Sequence, residues 1–152
     1  MVRKILDEEL ELVKTLFKDY EKELGVDLCF QGFEKELAEL PGIYAEPKGC
    51  ILLSQSYERE IEGIVALKPL SDGSCEMKRL YIKPEFRGKG IGETLATCLI
   101  KEARFKGYKE IKLDTLSRLK PAVKLYEKLG FIKTEPYNFN PDNEVLYFKK
   151  SI

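Results

Sequence analysis

A chain of 152 residues, 43% hydrophobic and 34% charged, has the size and balance of one globular domain, and apolar runs such as CILL and IVAL are too short to span a bilayer. The 26 acids equal the 26 bases and histidine is absent, which excludes Ser-His, Cys-His and histidine–metal chemistry and leaves Glu, Asp, Tyr, Lys, Cys or a relayed water as any general base. Residues 1–60 carry 14 acids against 8 bases and residues 61–152 carry 12 against 18, a split unlike that of a nucleic-acid binder. It suits either a protein that meets an anion on one side and a cation on the other, or ordinary solvated helix faces.

The amino terminus, MVRKILDEELELV, lacks the apolar stretch of a signal peptide, so a cytoplasmic setting without membrane attachment is expected. The next segment, DEELELVKTLFKDYEKELG, predicts an amphipathic helix with Leu6, Leu10, Val13, Phe17, Tyr20 and Leu24 on one face and Gly25 as its stop. GFEKELAELPG predicts a shorter helix carrying Phe33, Leu37 and Leu40. CILLSQS and IEGIVALK read as strands joined by the turn YERE, and PLSDGS leads into a third strand, CEMKRLYIK. Alternation there places Glu76, Lys78, Leu80 and Ile82 on one side and Met77, Arg79 and Tyr81 on the other. A helix follows from Ile91, its apolar stripe running through Leu95, Cys98 or Leu99 and Phe105 to a stop at Gly107. YKEIKLDT is a strand and LKPAVKLYEKLG a helix with Pro121 in its first turn. FIKTEPY and EVLYFKK close the chain as strands around NFNPDN. The order α-α-β-β-β-α-β-α-β-β predicts an α/β fold, a mixed central sheet flanked by helices, with residues 1–152 as a single domain.

Four cysteines (Cys29, Cys50, Cys75 and Cys98) lie more than 20 residues apart, in apolar contexts. They form no CxxC pair, so they are expected to be reduced, buried thiols and no metal site is expected.

The stretch LYIKPEFRGKGIG carries the chemistry. A strand that passes through a glycine-rich turn into a helix aims unpaired first-turn N–H groups at an anion, and the helix dipole adds positive charge there. Glycines allow close approach, and Arg87 and Lys89 add formal charge, so RGKGIG fits a pyrophosphate. A triphosphate loop needs GxxxxGK[ST], which is absent. A dinucleotide GxGxxG counted from Gly88 would end on Glu93, although Asp114 sits where a ribose-binding acid belongs.

Arg87-Gly88-Lys89-Gly90-Ile91-Gly92 does match [Q/R]xxGx[G/A]. With LYIKPEF before it, the helix GETLATCLIKEARFKGY after it and AVKLYEKLGF further on, the chain resembles the GNAT superfamily of N-acetyltransferases from about residue 45 to its end. That resemblance implies acetyl-CoA as co-substrate and a small-molecule or peptide amine as acceptor, with no nucleic-acid or membrane partner. A homodimer stays open. By the resemblance, Leu80 and Ile82 would pair with the pantetheine arm, the Ile82 amide would face the thioester oxygen, and Arg87, Gly88, Lys89, Gly90, Ile91 and Gly92 would hold the pyrophosphate. Tyr126 would protonate the departing thiolate and Glu76 would be a candidate general base. Phe33, Glu36, Tyr137 and Asn138 would line the acceptor site. Leu119 stands where many members carry a cofactor-contacting asparagine, so that contact does not transfer. Two alternatives remain: a non-catalytic acyl-CoA-binding module, and a dinucleotide-binding oxidoreductase.

Overall fold

The structure is a computed structural model that describes residues 1–152, apart from the side chains of Phe30 and Gln31. Strand β1 (Val2–Lys4) leads through a 3-10 turn at Asp7–Glu9 into helix α1 (Leu10–Leu24) and then α2 (Phe33–Ala38). Strands β2 (Cys50–Gln55), β3 (Ile61–Pro69) and β4 (Cys75–Ile82) follow, then α3 (Ile91–Phe105), β5 (Glu110–Leu116), α4 (Lys120–Lys128), β6 (Ile132–Lys133) and β7 (Val145–Ser151). The seven strands form one sheet in the order β1-β2-β3-β4-β5-β7-β6. Only β4–β5 is parallel, and α3 makes the crossover between those two strands.

The expected element order is observed, with β1 added at the edge. Three residues without alternation give no strand signal. Leu6 departs from the expected stripe: it lies before α1 and is 51% exposed. The Glu9 carboxylate accepts the Leu6 N–H at 2.8 Å and is forked by Arg3, so this end closes as a separate turn. Phe105 also departs, at 89% exposure. The buried face of α3 is Leu95, Ala96, Leu99, Ile100 and Ala103, and Phe105 falls beyond it at the helix end. Of the four thiols, Cys29 is exposed rather than buried, because it sits in the turn after α1.

Helices cover both faces of the sheet. On one, α3 and α4 lie over Leu52, Val65, Leu67, Met77, Leu113 and Phe148. On the other, α1 and α2 lie over Leu53, Ile64, Ala66 and Tyr81. Strand β4 serves both, and its alternation breaks. Ile64 pairs with Tyr81 but Ala66 pairs with Lys78, so β4 carries one extra residue. Arg79 lies within this bulge with φ +60°. Consequently Leu80 and Ile82 join Met77 on the α3 face, whereas Tyr81 packs with the α1 core. The expected grouping of Leu80 and Ile82 with Glu76 and Lys78 is therefore corrected by one bulge residue.

The bulge also ends the parallel pairing. Strand β4 meets β5 only at Cys75–Ile111 and Glu76–Lys112, after which the two strands part. Gly63 on β3 supports the parted segment from behind. A Cβ there would lie 2.6 Å from Ile82 Cδ1 and 2.7 Å from the Tyr81 carbonyl oxygen. Backbone has no room to yield, so Gly63→Ala is expected to cost about 1–3 kcal/mol in urea unfolding. A loss within error of zero would show that β4 shifts freely.

Candidate active site

The gap between β4 and β5 opens into a groove of about 470 Å³ that ends at the glycine turn. Its walls are Leu80 and Ile82 of β4, Tyr20 and Leu24 of α1, and Leu119, Ala122 and Leu125 at α4. One strand edge faces it. The Lys83 N–H donates to the Glu62 carbonyl at 2.9 Å, so the adjoining Gly63–Ile82 pair is a non-hydrogen-bonded one. The Ile82 N–H and C=O therefore point away from β3, toward the gap. Arg87 confirms the direction, since its Nε and Nη2 donate to the Ile82 carbonyl at 3.0 and 2.8 Å.

At the turn, Gly88 and Gly90 both have φ +78°, a left-handed conformation that favours glycine. Gly90 caps α3, so the first-turn N–H groups of Ile91, Gly92 and Glu93 are presented at the groove end. The Arg87 guanidinium is engaged otherwise. Besides Ile82 it binds Glu23 of α1 and lies 5.8 Å from the centre of the Tyr81 ring. Arg87 thus fastens the turn to β4 and α1 while remaining exposed, and Lys89, also exposed, lies 5.6 Å from the centre of the Phe86 ring.

Deeper in, a chamber of about 50 Å³ shares Tyr20, Leu80, Leu119 and Ala122 with the groove and adds Lys78, Asp114 and Tyr126. The Tyr126 ring packs on Phe131 (5.9 Å) and Phe148 (6.5 Å). Burial, with Tyr20 and Asp114 nearby, pushes its phenol well above the usual range, so it remains protonated. Burial also lowers Lys78 from its ordinary value, against the pull of Glu76.

The other expected residues lie elsewhere on this face. Glu76 is 1% exposed; it accepts from the Tyr137 hydroxyl at 2.5 Å and lies 3.8 Å from Lys68 and 4.0 Å from Lys78. Phe33 and Glu36 are buried beneath the bulge. Glu36 binds Arg79 through two bonds of 3.0 and 2.9 Å, and the Phe33 ring lies 5.2 Å from the guanidinium. Asn138 donates to Asp114 at 3.0 Å and accepts from Tyr147 at 2.9 Å. None of Phe33, Glu36, Glu76, Tyr137 and Asn138 lines the groove or the chamber. Sequence reading missed Tyr20 and Asp114 as wall residues. Tyr20 is one more apolar position on a helical stripe, and Asp114 reads from sequence as a ribose-binding acid at a strand end, which does not point to a chamber wall.

The sequence matches the profile described as the acetyltransferase (GNAT) family over residues 11–131. The chain belongs to the GNAT acetyltransferase family. It is an acetyl-CoA-dependent N-acetyltransferase, an acyltransferase by class. A Schizosaccharomyces pombe protein named as an uncharacterized N-acetyltransferase is 41% identical over 145 residues, spanning 95% of this chain and 89% of its own. Solved structures agree on the fold. A GNAT-family acetyltransferase from Staphylococcus aureus superposes with a TM-score of 0.81 at 17% identity, covering 99% of this chain and 98% of its own. The PaiA N-acetyltransferase of Thermoplasma acidophilum, solved in complex with coenzyme A, gives 0.75 at 23%, covering 100% and 98%. Among the described residues no helix is long and apolar enough to cross a membrane.

Proposed function

We propose that this GNAT member moves the acetyl group of acetyl-CoA directly to a primary amine of a small molecule or peptide, in the cytoplasm, with residues 1–152 acting as one domain. The observation that carries the reading is the parted β4–β5 pair, whose free strand edge runs to a glycine-capped helix start. The residues fit the co-substrate, since an apolar slot flanked by a strand edge suits a pantetheine arm and the Gly88–Gly92 turn suits a pyrophosphate. Acetyl-CoA supplies the activated acyl thioester. Leu80 and Ile82 align the arm, and the Ile82 N–H donates to the carbonyl oxygen as it gains negative charge. Gly88, Gly90, Ile91 and Gly92 present backbone to the phosphates and Arg87 and Lys89 add charge, Arg87 from the groove wall while it also fastens the turn to Ile82 and Glu23. Tyr126 donates its phenolic proton toward the leaving sulfur. Glu76 is held under Tyr137, so as a general base it acts through that hydroxyl rather than by direct contact.

Calorimetric titration with acetyl-CoA, using NAD and ATP as controls, tests the reading. Selective acetyl-CoA binding is expected, with the affinity lost in Gly90→Val because a β-branched residue resists the left-handed conformation that shapes the turn. Retained affinity in that variant, or NAD binding in the native protein, would contradict it.

A further inference from the structure

Helix α3 begins with the wrong charge for an anion site. Its third residue, Glu93, is an acid, and a carboxylate there suits the positive end of the helix dipole just as a phosphate would. The capping residue, Gly90, has no side chain to offer the helix start. From the third position a glutamate can fold back so that its carboxylate accepts the N–H of the capping residue. Glu93 is thus placed to occupy, with its own carboxylate, donors that a bound anion would use. In the structure it is turned away. Glu93 Oε2 accepts from Lys128 Nζ of α4 at 2.8 Å, and Glu93 does not line the groove. Packing brings Lys128 to that place. Leu125 lines the groove and lies against Gly92, where an added Cβ would meet Leu125 Cδ2 at 3.7 Å. Lys128 follows one turn later on the same side of α4, beyond the groove wall. Glu23, the acid that does line the groove, is likewise held by a cation, Arg87. Lys128 is exposed and the Glu93 carboxylate half-exposed, so their pair adds little to folding stability.

We propose that Lys128 is a positioning residue for co-substrate binding: it holds the Glu93 carboxylate off the start of α3, so that the N–H groups there donate to the phosphates of acetyl-CoA and not to the chain's own acid. The inference rests on the acetyl-transfer reading above, and the experiment separates the two. Lys128 acts through Glu93, so its removal matters only while the acid is present. A lysine that bound phosphate itself would be missed whether or not the acid was there, and a double-mutant cycle tells the two apart.

Acetyl-CoA affinity by calorimetry and unfolding in urea are measured on the native protein, Lys128→Ala, Lys128→Arg and the double variant Lys128→Ala/Glu93→Ala. Lys128→Ala is expected to weaken acetyl-CoA binding at least about threefold, a factor in keeping with one uncompensated charge at a helix start, while its urea midpoint stays near the native one. Lys128→Arg is expected to rescue the affinity to within about twofold of native, since a single exposed contact needs only a cation that reaches the carboxylate. The double variant is expected to return to the same range, because alanine has no carboxylate to fold back. A smaller loss in Lys128→Ala, a loss that comes with a large fall in its urea midpoint, no rescue by arginine, or a double variant as weak as Lys128→Ala would each overturn the inference and leave the acetyl-transfer reading standing. Failure of the native protein to bind acetyl-CoA would overturn both.

Discussion

Tyr126→Phe is expected to lower turnover at saturating acetyl-CoA by about 100-fold, the low end of what a positioned proton donor supplies, and to leave acetyl-CoA affinity almost unchanged. The two effects separate because the side chain has two parts. Its ring is structural, packed edge-on against Phe131 and tilted against Phe148, and phenylalanine keeps both contacts. The residue also lines the chamber with Leu80 and Lys78, and only the hydroxyl is lost in the variant. Burial raises the phenol above its usual range. In water such a phenol would be a poor donor to a thiolate. Under the proposed role the leaving sulfur would be desolvated in the chamber too, which would raise its own proton affinity and restore the match. Steady-state thiol release and calorimetric affinity, measured on the same preparation, read the two parts independently. Unchanged turnover would reduce Tyr126 to a packing residue, and a joint loss of affinity would point to a distorted groove.

How much of this was legible beforehand follows from where each signal lives. The glycine turn was readable because its constraint is local: Gly88 and Gly90 need a left-handed backbone, and residues in a row supply it. Tyr126 is legible by motif position alone, whereas its ring packing and its place among the chamber-lining residues come from the fold. Arg87 reads as a phosphate ligand because a cation beside glycines suggests one. Its use on the Ile82 carbonyl and Glu23 depends on α1 crossing the turn, a contact between residues 64 positions apart. The bulge does leave a trace in the string CEMKRLYIK, where Lys78 and Arg79 are adjacent and the apolar positions move from 75 and 77 to 80 and 82, but only the register against β3 shows that one extra residue causes it. The same slip moves Leu80 and Ile82 to the α3 face, where they wall the groove. Phe33 and Glu36 are expected near the acceptor because the family resemblance puts the acceptor pocket at the front helices. They lie beneath the bulge instead, and that position gives them a larger effect on stability than an acceptor contact would have.

Glu36→Ala is expected to lose about 3–5 kcal/mol of unfolding free energy, the range for removing one partner of a buried ion pair. Arg79 is 3% exposed, and its guanidinium lies between the Tyr20 ring at 5.7 Å and the Phe33 ring at 5.2 Å. Burial works against its charge, and Tyr44, Glu36 and Tyr20 outweigh that effect and keep it protonated. Glu36 supplies a two-point carboxylate to match it. Truncation leaves a charged guanidinium in a dry layer without that carboxylate. A surface pair such as Lys128–Glu93, with its lysine two-thirds exposed, would lose under about 1 kcal/mol by comparison. The damage also has a direction. Arg79 occupies the bulge at φ +60°, a conformation that a non-glycine residue holds only when its surroundings fix it. Once the carboxylate is gone, β4 gains by reverting toward regular pairing, which brings its edge back toward β5 and narrows the groove. Acetyl-CoA affinity should therefore fall even at temperatures where the variant is still folded. Glu36→Gln keeps one acceptor oxygen and should fall between the native protein and the alanine variant in both readouts. Urea midpoints and calorimetry on the two variants test this ordering. A stability loss below about 1 kcal/mol, or full affinity in a destabilised Glu36→Ala, would show that the bulge stands without its ion pair.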